Sequence, residues 1–385
     1  MSKPVAPSTA TLTTVLVGLL SLVGLLSLGG LVGCGGDDSA ARVEAASVER
    51  SDPAAAGHDC VDDLDAGAAA GQLIIVLTDD ATSTIGLIAD GVVGGVALRS
   101  AQPADVTRQL AGISAAARLP AFIASDEEGG TVQRLRSVTG TYPSARKVAQ
   151  TMTPAQAGEK YEAFARELVA AGINVIFGPS LDAGPGSSLG SRTFSDDTAT
   201  VTRYGTAIVA AAGRAGALSV VKHWPGIGAG DADTHEGPAT LPAIDSLRGR
   251  DLTTFEAAFA QGATAVMVSH GRVPGLTGDD PASLSRSAIT DELRGREHFD
   301  GLVITDSLGM GAVTQQVGQD DAAERAIAAG ADIALVSGGP AAAKAHERLT
   351  AAISEGRLDD AQVDASIRRV LRAKHIDLAT CRPVS

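Results

Sequence analysis

The chain has 385 residues, of which 44% are hydrophobic, and it carries a formal net charge of -14 with an isoelectric point near 4.9. Its length allows one large α/β barrel or two ordinary domains. The acidic balance argues against nucleic-acid binding, which needs a basic face, and an aromatic content of 3% leaves few stacking platforms for a ligand.

The first segment of the chain predicts an export signal. An apolar run, LTTVLVGLLSLVGLLSLGGLVG, spans residues 12–33 after a single early positive charge at Lys3. It ends in Leu-Val-Gly directly before Cys34, which resembles the lipobox in which a cysteine receives a lipid. The run is also long enough to span a bilayer as an uncleaved anchor. We expect a lipoprotein signal peptide over residues 1–33 and a bacterial protein that is held outside the cytoplasmic membrane through lipidated Cys34.

A small, polar and aperiodic stretch over residues 34–59 predicts a flexible tether. The folded domain is expected over residues 60–385. Two further cysteines, Cys60 and Cys381, stand near the two ends of this domain. In an oxidising compartment two remaining thiols favour a disulfide. Two unrelated buried thiols are the alternative, because the sequence does not show that their Cα atoms come within bridging distance.

The domain alternates short apolar runs with helical patterns. Eight apolar runs predict strands over residues 71–77, 93–98, 121–125, 173–178, 218–223, 264–270, 301–306 and 331–336. The segments between them predict helices over residues 103–119, 154–171, 246–261, 319–329 and 340–355. Apolar strands separated by helices are typical of a parallel sheet that is covered on both faces. The pattern predicts an α/β fold, a single (β/α)8 TIM-type barrel with irregular early strands, and an open doubly wound sheet is the alternative.

Polar side chains lie at the carboxyl ends of five predicted strands. They are Asp126 after the third strand, Asp182 after the fourth, Lys222 and His223 at the end of the fifth, His270 at the end of the sixth, and Asp306 at the end of the seventh. Barrels assemble their active sites at this face. We therefore expect these side chains to form one site.

The residue types in this set favour one reaction class over two others. A metal-dependent hydrolase needs clustered ligands, such as His-x-His after an early strand, and the first four predicted strands have none. A serine hydrolase needs a GxSxG nucleophile elbow, and the sequence has none at its strand ends. Carboxylate chemistry remains, with Asp306 as nucleophile or base and a second group that supplies protons, as in glycoside hydrolysis.

Seven motifs follow one another along the domain: DEEGGTVQRL (126–135), GPSLD (178–182), SRTF (191–194), KHWPGIG with DTH (222–235), MVSH (267–270), PASLS (281–285) and ITDSLGM (304–310). In this order they resemble the motifs of glycoside hydrolase family 3, over roughly residues 60–375. The resemblance is closest to the single-barrel bacterial β-N-acetylglucosaminidases of that family. It implies a barrel enzyme that acts on a small carbohydrate without a metal or another cofactor.

The resemblance also implies roles for individual residues. Asp306 matches the nucleophile that forms a glycosyl-enzyme with retained stereochemistry, His235 matches the general acid/base, and Asp233 is its partner. An aspartate two residues away on a loop can accept a hydrogen bond from one ring nitrogen and thereby fix the tautomer. Sugar contacts are implied for Asp126, Arg134, Arg192, Lys222 and His223. For each of the two arginines a salt bridge at the barrel rim is the alternative.

The chain departs from the common family pattern at three positions. Ile227 stands in PGIG where relatives commonly have PGHG, and Ser307 follows Asp306 where many relatives have a second aspartate. Glu127, in DEEGG, replaces the commoner glutamine. The Ile227 substitution bears on loop geometry, rate and substrate choice rather than on the reaction class.

These features together predict an exo-acting, retaining β-N-acetylglucosaminidase that removes terminal N-acetylglucosamine from peptidoglycan fragments such as muropeptides. A family 3 β-glucosidase is the alternative enzyme. Those enzymes usually carry the acid/base on a second domain, whereas here Asp-Thr-His lies within the barrel sequence. A catalytically weak sugar-binding lipoprotein on the same scaffold is the alternative that is not an enzyme.

Lipid attachment has a direct test in cells. Cys34→Ala removes the thiol that the lipobox offers, so the protein should move from the membrane fraction to the soluble fraction. Cys60→Ala is the matched control and should leave the protein with the membranes. If the Cys34→Ala protein stays in the membrane fraction, the apolar run acts as an uncleaved anchor.

Overall fold

The computed structural model describes residues 60–184 and 189–384. The predicted signal peptide, the tether and Cys34 lie outside these ranges. Eight strands form the centre of the described part: Ile74–Thr78 (β1), Gly95–Leu98 (β2), Phe122–Ser125 (β3), Val175–Ser180 (β4), Leu218–Trp224 (β5), Ala265–Val268 (β6), Leu302–Thr305 (β7) and Ala334–Ser337 (β8). Each strand overlaps an apolar run that predicted it, because a strand buried on both faces needs apolar residues throughout.

The eight strands form one parallel sheet that closes into a barrel. Consecutive strands pair from β1 to β7, and β8 pairs with β1, with Ala334 opposite Ile74. The barrel closes between β7 and β8 through a parallel bridge between Ile304 and Ile333. The amide of Thr305 donates a hydrogen bond to the carbonyl oxygen of Ile333 at 3.0 Å. The predicted TIM-type barrel is therefore confirmed, in preference to the open sheet.

The irregular pairing lies in the middle of the barrel. β1, β2 and β3 pair in continuous register, so the expectation of irregular early strands is wrong. The register shifts between Phe177 and Ser180 where β4 meets β5, and between Val221 and Trp224 where β5 meets β6. Such irregularities turn side chains in new directions at a strand end. Here they occur where β5 carries Lys222 and His223.

Side chains on the strands alternate between the barrel interior and the helical layer. On β1, Ile75 and Leu77 belong to the interior cluster, whereas Ile74 and Val76 belong to the cluster that faces the helices. This alternation is the period of two expected for a strand. The other strands contribute Ala97, Phe122, Ala124, Val175, Phe177, Val220, Ala265, Met267, Leu302, Ile304 and Leu335 to the interior.

Helices cover the outside of the barrel. Their bounds are Ala66–Gln72, Ile85–Ala89, Val106–Ala116, Arg136–Thr139, Ala145–Thr151, Pro154–Ala170, Thr198–Arg214, Ile244–Gly249, Leu252–Ala260, Gly311–Thr314, Gln319–Ala328, Gly339–Ser354 and Asp360–Ala373, with a π-type helix at Ser287–Arg296. Short 3₁₀ turns lie at Ala81–Thr84, Gly190–Arg192 and Ala282–Leu284. None of the helices in the described ranges is long and apolar enough to cross a membrane.

One predicted helix is wrong in extent. The pattern over residues 246–261 predicted a single helix, and the structure has two, Ile244–Gly249 and Leu252–Ala260. Arg250 separates them because its backbone, with φ -138° and ψ -74°, is not helical. Its guanidinium donates to the buried carboxylate of Asp251 at 2.8 Å. The other four predicted helices are present with shifts of a few residues at their ends.

The two cysteines of the domain lie near each other at the amino end of the barrel. The amide of Cys60 donates to the carbonyl oxygen of Leu378 at 2.8 Å, so the two ends of the domain are in contact. Both Cys60 and Cys381 are free thiols in the structure, and both line a cavity of 540 Å³. Their pairing stays a prediction.

Asp332 holds the closing strands together. Its carboxylate is wholly buried just before β8 and accepts hydrogen bonds from Arg294 at 2.7 Å and from Arg369 at 3.1 Å. It also accepts the amide of Val303, on β7, at 2.8 Å. The same carboxylate therefore compensates two guanidinium groups and replaces part of the backbone pairing between β7 and β8.

Asp332→Ala should lower the free energy of unfolding by about 3–5 kcal/mol, because it leaves two largely buried guanidinium groups without their carboxylate. Urea unfolding followed by circular dichroism measures this change. Asp105→Ala is the control: its carboxylate lies 3.9 Å from Arg108 on the surface, and such pairs contribute little. Equal effects of the two substitutions would contradict a role for Asp332 in closing the barrel.

Candidate active site

A cavity of 480 Å³ opens at the carboxyl ends of the barrel strands. Seven of the predicted catalytic and sugar-binding residues line it: Asp126, Arg134, Arg192, Lys222, His223, His235 and Asp306. Asp182 and His270, which the strand-end pattern also predicted for the site, do not line the cavity. Asp233 reaches the cavity through a hydrogen bond to His235. Parallel strands bring their carboxyl ends to one face of a barrel, which is why residues so distant in sequence meet here.

An ionic cluster forms one wall of the cavity. Lys222 is 2% exposed, and its Nζ lies 2.5 Å from Asp126 Oδ1 and 2.7 Å from Glu128 Oε1. Arg192 donates two hydrogen bonds to Glu128, each at 2.9 Å. Burial by itself would lower the pKa of Lys222, but the two carboxylates raise the pKa above its usual value. The ammonium group therefore stays charged at neutral pH.

A short hairpin turns the DEEGG motif toward this cluster. Strand Glu127–Gly129 pairs antiparallel with Val132–Gln133. Asp126 and Glu128, two residues apart, both direct their carboxylates to Lys222, whereas Glu127 between them does not. The turn requires glycine: Gly129 has φ +83°, and a Cβ there would lie 2.3 Å from the carbonyl oxygen of Pro143.

The two arginines of the site differ in their pairing. Arg192 combines both sequence interpretations, because it forms a bidentate salt bridge with Glu128 and still lines the cavity. Arg134 makes one longer contact, 3.5 Å, with Asp126. Its buried Nε has no hydrogen-bond partner among the described residues. The guanidinium of Arg134 is therefore less fully paired than that of Arg192.

Asp182 joins β5 to the loop that follows it. Its wholly buried carboxylate lies 2.7 Å from Nδ1 of His223 and accepts the amide of Ile227 at 2.8 Å and the hydroxyl of Ser180 at 2.8 Å. Burial would raise the pKa of Asp182, but His223 and the hydrogen bonds lower it below its usual value. Residue 227 thus holds the loop through its backbone, and the side chain of Ile227 packs against the apolar core.

Asp306 is the carboxylate at the end of β7. Its amide donates to the carbonyl oxygen of Val268 at 2.8 Å, and its Oδ1 accepts the amide of Ser307 at 2.7 Å. Burial would raise the pKa of Asp306, but attraction by His223, together with the Ser307 hydrogen bond, lowers it below its usual value. Asp306 therefore faces the cavity as an ionised carboxylate.

His270 supports the backbone next to Asp306. Its Nε2 lies 2.8 Å from the carbonyl oxygen of Ser307, and its Nδ1 lies 2.7 Å from the hydroxyl of Ser283. A carbonyl oxygen only accepts, so Nε2 carries the proton and the hydroxyl of Ser283 donates to Nδ1. Burial lowers the pKa of His270, which keeps the ring neutral. His270 is absent from the residues that line the cavity, so it positions the chain around Asp306.

His235 and Asp233 form a pair on the loop after β5. The ring Nδ1 of His235 lies 2.8 Å from Asp233 Oδ1, and the same oxygen accepts the amide of His235 at 2.9 Å. Burial would raise the pKa of Asp233, but these hydrogen bonds lower it below its usual value. The side chain of His235 is 64% exposed. Its other nitrogen, Nε2, is therefore open to a ligand and to water.

The loop rests against the segment that follows Asp306. The amide of Gly311 donates to the carbonyl oxygen of His235 at 3.0 Å, and the amide of Ala312 donates to that of Thr234 at 3.1 Å. The approach is close enough to require glycine, since a Cβ on Gly311 would lie 2.5 Å from the carbonyl oxygen of Glu236. The loop thus holds His235 at the same cavity as Asp306.

Two site residues lacked a role in the sequence interpretation. Glu128 lies within the DEEGG motif, but its position beside Asp126 depends on a short hairpin that the sequence does not predict. Asp182 was recognised at a strand end, but its contact with His223 depends on the pairing of β4 with β5. Among residues 60–184 and 189–384, no group of three or more His, Cys, Asp or Glu side chains is arranged to hold a metal ion.

Comparisons with known proteins agree with this geometry. The family model for the glycosyl hydrolase family 3 N terminal domain matches residues 68–373. The β-hexosaminidase LpqI of Mycobacterium tuberculosis is 39% identical over 316 residues, which cover 79% of this chain and 81% of that protein. A structure of a family 3 glycosyl hydrolase from Mycobacterium smegmatis superposes with a TM-score of 0.78 at 38% identity, covering 81% of this chain and 98% of that one.

A family 3 β-N-acetylglucosaminidase from a Paenibacillus species superposes with a TM-score of 0.77 at 32% identity. The match covers 81% of this chain and 62% of that one. The family match spans most of the domain, and the barrel presents a carboxylate and an imidazole at one cavity. Both the resemblance and the prediction of an enzyme are confirmed: the chain belongs to glycoside hydrolase family 3.

Proposed function

We propose that the protein is an exo-acting, retaining β-N-acetylglucosaminidase. The observation that carries the proposal is the single cavity lined by both Asp306 and His235, with the ring of His235 held 2.8 Å from Asp233. One group is an ionised carboxylate and the other can give and take a proton, which are the two functions that glycoside hydrolysis needs. The relatives named β-hexosaminidase and β-N-acetylglucosaminidase support the choice of sugar.

In the first step Asp306 attacks the anomeric carbon of the terminal sugar. The glycosidic bond breaks as protonated His235 donates its Nε2 proton to the departing oxygen. A covalent glycosyl-enzyme forms on Asp306, and the ionised carboxylate of Asp233 stabilises the protonated ring before the transfer. The low pKa of Asp233 supports this role, because the carboxylate stays charged over the whole neutral range.

In the second step neutral His235 accepts a proton from water at Nε2. As the water loses this proton, its oxygen attacks the anomeric carbon. The bond between the anomeric carbon and the Asp306 carboxylate breaks. Two inversions give net retention. The exposure of His235 suits both steps, since the leaving group departs to solvent and the water arrives from it.

The ionic wall supplies the sugar contacts. Asp126, Lys222 and Arg134 line the cavity and together offer both acceptors and donors for sugar hydroxyls. Three cations, Lys222, Arg192 and Arg134, pair with two carboxylates, Asp126 and Glu128. The ionised carboxylate of Asp306 at the same cavity supplies the third negative charge, so the site carries no excess positive charge. This balance favours a neutral sugar over an anionic one.

The natural substrate that we propose is a peptidoglycan fragment with a terminal N-acetylglucosamine. An enzyme held outside the cytoplasmic membrane through Cys34 would meet such fragments directly. The location and the substrate are linked in this proposal, and fractionation of the Cys34→Ala protein tests the location separately.

Asp306→Ala should reduce hydrolysis of an aryl β-N-acetylglucosaminide by on the order of 10⁴-fold or more, because it removes the nucleophile. Release of the aryl group measures the rate. Asp300→Ala, at the opposite end of β7, is the control and should keep full activity. If Asp306→Ala hydrolyses the substrate at the wild-type rate, Asp306 is not the nucleophile.

The same assay separates the competing functions. An aryl β-glucoside tested beside the N-acetylglucosaminide should be the poorer substrate, and the reverse preference would favour a β-glucosidase. Binding of N-acetylglucosamine by the wild-type protein without any hydrolysis would favour the sugar-binding lipoprotein.

Asp233→Asn should reduce kcat by about 10²–10⁴-fold with little change in KM, because His235 loses the carboxylate that orients and stabilises its protonated ring. The loss should be larger for a disaccharide than for an aryl substrate, whose leaving group needs less protonation. Asp231→Asn, on the same loop, is the control and should affect both substrates equally. An Asp233→Asn loss that is independent of the leaving group would count against an acid/base role.

A further inference from the structure

Glu127 is a buried carboxyl group behind the sugar-binding wall. It is 0% exposed, and it lies between Asp126 and Glu128, whose carboxylates contact Lys222 while that of Glu127 is bonded elsewhere. Its Oε1 accepts three hydrogen bonds: from the hydroxyl of Ser125 at 2.7 Å and from the amides of Arg134 and Leu135 at 3.0 Å each. This one oxygen therefore connects the segment that contains Arg134 to the segment that contains Asp126.

The second oxygen of Glu127 has a different environment. Its Oε2 is fully buried and has no hydrogen-bond partner within the described ranges. The hydroxyl of Tyr142 is in the same condition, and both residues line a small internal cavity of 20 Å³. A carboxylate with one oxygen unsatisfied in an apolar interior is costly, whereas a neutral carboxylic acid is much less so.

The groups around Glu127 do not compensate a negative charge there. Burial raises the pKa of Glu127 to about 7, the three hydrogen bonds oppose this rise, and the charge of Asp126 adds to it. The two nearby guanidinium groups contact other carboxylates: Arg134 contacts Asp126 and Arg192 contacts Glu128. The titratable and charged groups near Glu127 are Asp126 directly before its strand, Glu128 on the strand, Arg134 after the paired strand, Tyr142 beyond it, Tyr161 on helix Pro154–Ala170, and Arg192.

A neutral carboxylic acid can occupy this position as glutamine does. Its carbonyl oxygen accepts the same three hydrogen bonds, and its second polar atom carries hydrogen instead of charge. A glutamic acid here thus has the shape of an amide and in addition can ionise.

We propose that Glu127 is a positioning residue that works in its protonated form, and that its ionisation above neutral pH displaces Asp126 and Arg134 and weakens sugar binding. The effect should fall on binding more than on the chemical step, because Asp306 and His235 lie on other loops. This inference rests on the proposed sugar-binding role of the cavity.

The test uses the full-length protein and its Glu127→Gln variant, with N-acetylglucosamine as the ligand. Dissociation constants are measured by calorimetry between about pH 5.5 and pH 9, and KM for the aryl β-N-acetylglucosaminide is measured in parallel. Wild-type binding should weaken above pH 7 by about tenfold, the order expected for one added charge a few ångströms from the site. Glu127→Gln should bind as the wild type does at pH 6 and should lose most of this weakening.

A second variant tests the same carboxyl group from the other side. Ser125→Ala removes a donor that favours the ionised form of Glu127, so the pH at which binding weakens should move upward. A merely structural role for Glu127 would change affinity at all pH values without moving this inflection. An inflection that persists unchanged in Glu127→Gln overturns the proposal.

Unfolding provides a readout that does not depend on the ligand. The pKa of Glu127 is raised on folding from 4.5 to about 7, so its contribution to stability is fully present below pH 4.5 and is lost as the pH rises to 7. Glu127→Gln should lack this loss. The melting temperature of the variant relative to that of the wild type should therefore increase between pH 4.5 and pH 7. A melting temperature difference that is constant with pH would count against the proposal.

The outcomes separate this inference from the proposed function. If the aryl substrate is hydrolysed and Glu127→Gln keeps the wild-type inflection, only the positioning role fails. If the protein binds the sugar with the predicted pH dependence and hydrolyses nothing, only the enzymatic function fails. Absence of sugar binding at every pH would overturn both.

Discussion

The site depends on one buried ammonium group. Lys222 is almost without exposure, and it is compensated by Asp126 from the end of β3 and by Glu128 from the hairpin beyond it. A buried charge that loses a partner destabilises a protein strongly, so these three positions must be satisfied together. The same contacts that compensate Lys222 place its neighbours at the cavity. Folding of this side of the barrel and formation of the ionic wall of the cavity are therefore one process.

The middle strands make this arrangement possible. Regular pairing would direct the side chains at the end of β5 alternately inward and outward, and the register shifts on both sides of β5 change that pattern. Lys222 and His223 consequently both line the cavity, although they are adjacent in sequence. Asp182 then joins His223 to the backbone of Ile227, so the start of the proposed catalytic loop is connected to the ionic wall of the cavity. Because the loop is held by the amide of residue 227, its course tolerates isoleucine at that position.

The rest of the loop is anchored at a different strand. Its carbonyl groups near His235 accept amides of the segment after β7, which is the segment that also follows Asp306. His270, at the end of β6, holds the same segment through a hydrogen bond to the carbonyl oxygen of Ser307. The proposed nucleophile and the proposed acid/base therefore share one piece of supporting backbone. Their relative position is set by hydrogen bonds between backbone groups, which resist displacement better than long side chains would.

The sequence supported the regular elements far better than the irregular ones. All eight barrel strands could be predicted because burial on both faces demands uninterrupted apolar runs. The hairpin at Glu127–Gly129 could not, since strands of two or three residues have no periodicity to detect. The helix Thr198–Arg214 also escaped prediction, because its β-branched residues and glycines have low helix propensity and it depends on packing against neighbouring helices.

The sequence by itself determined the barrel, the family and the identity of the residues at the strand ends, because period, length and motif order are local properties. Tertiary structure alone decided how those residues pair: that Glu128 compensates both Lys222 and Arg192, that Asp182 holds His223, and that Glu127 is enclosed without a partner for one oxygen. Charge compensation and burial depend on distances between segments far apart in the chain. A local sequence pattern does not determine those distances, because they are set only when the barrel closes.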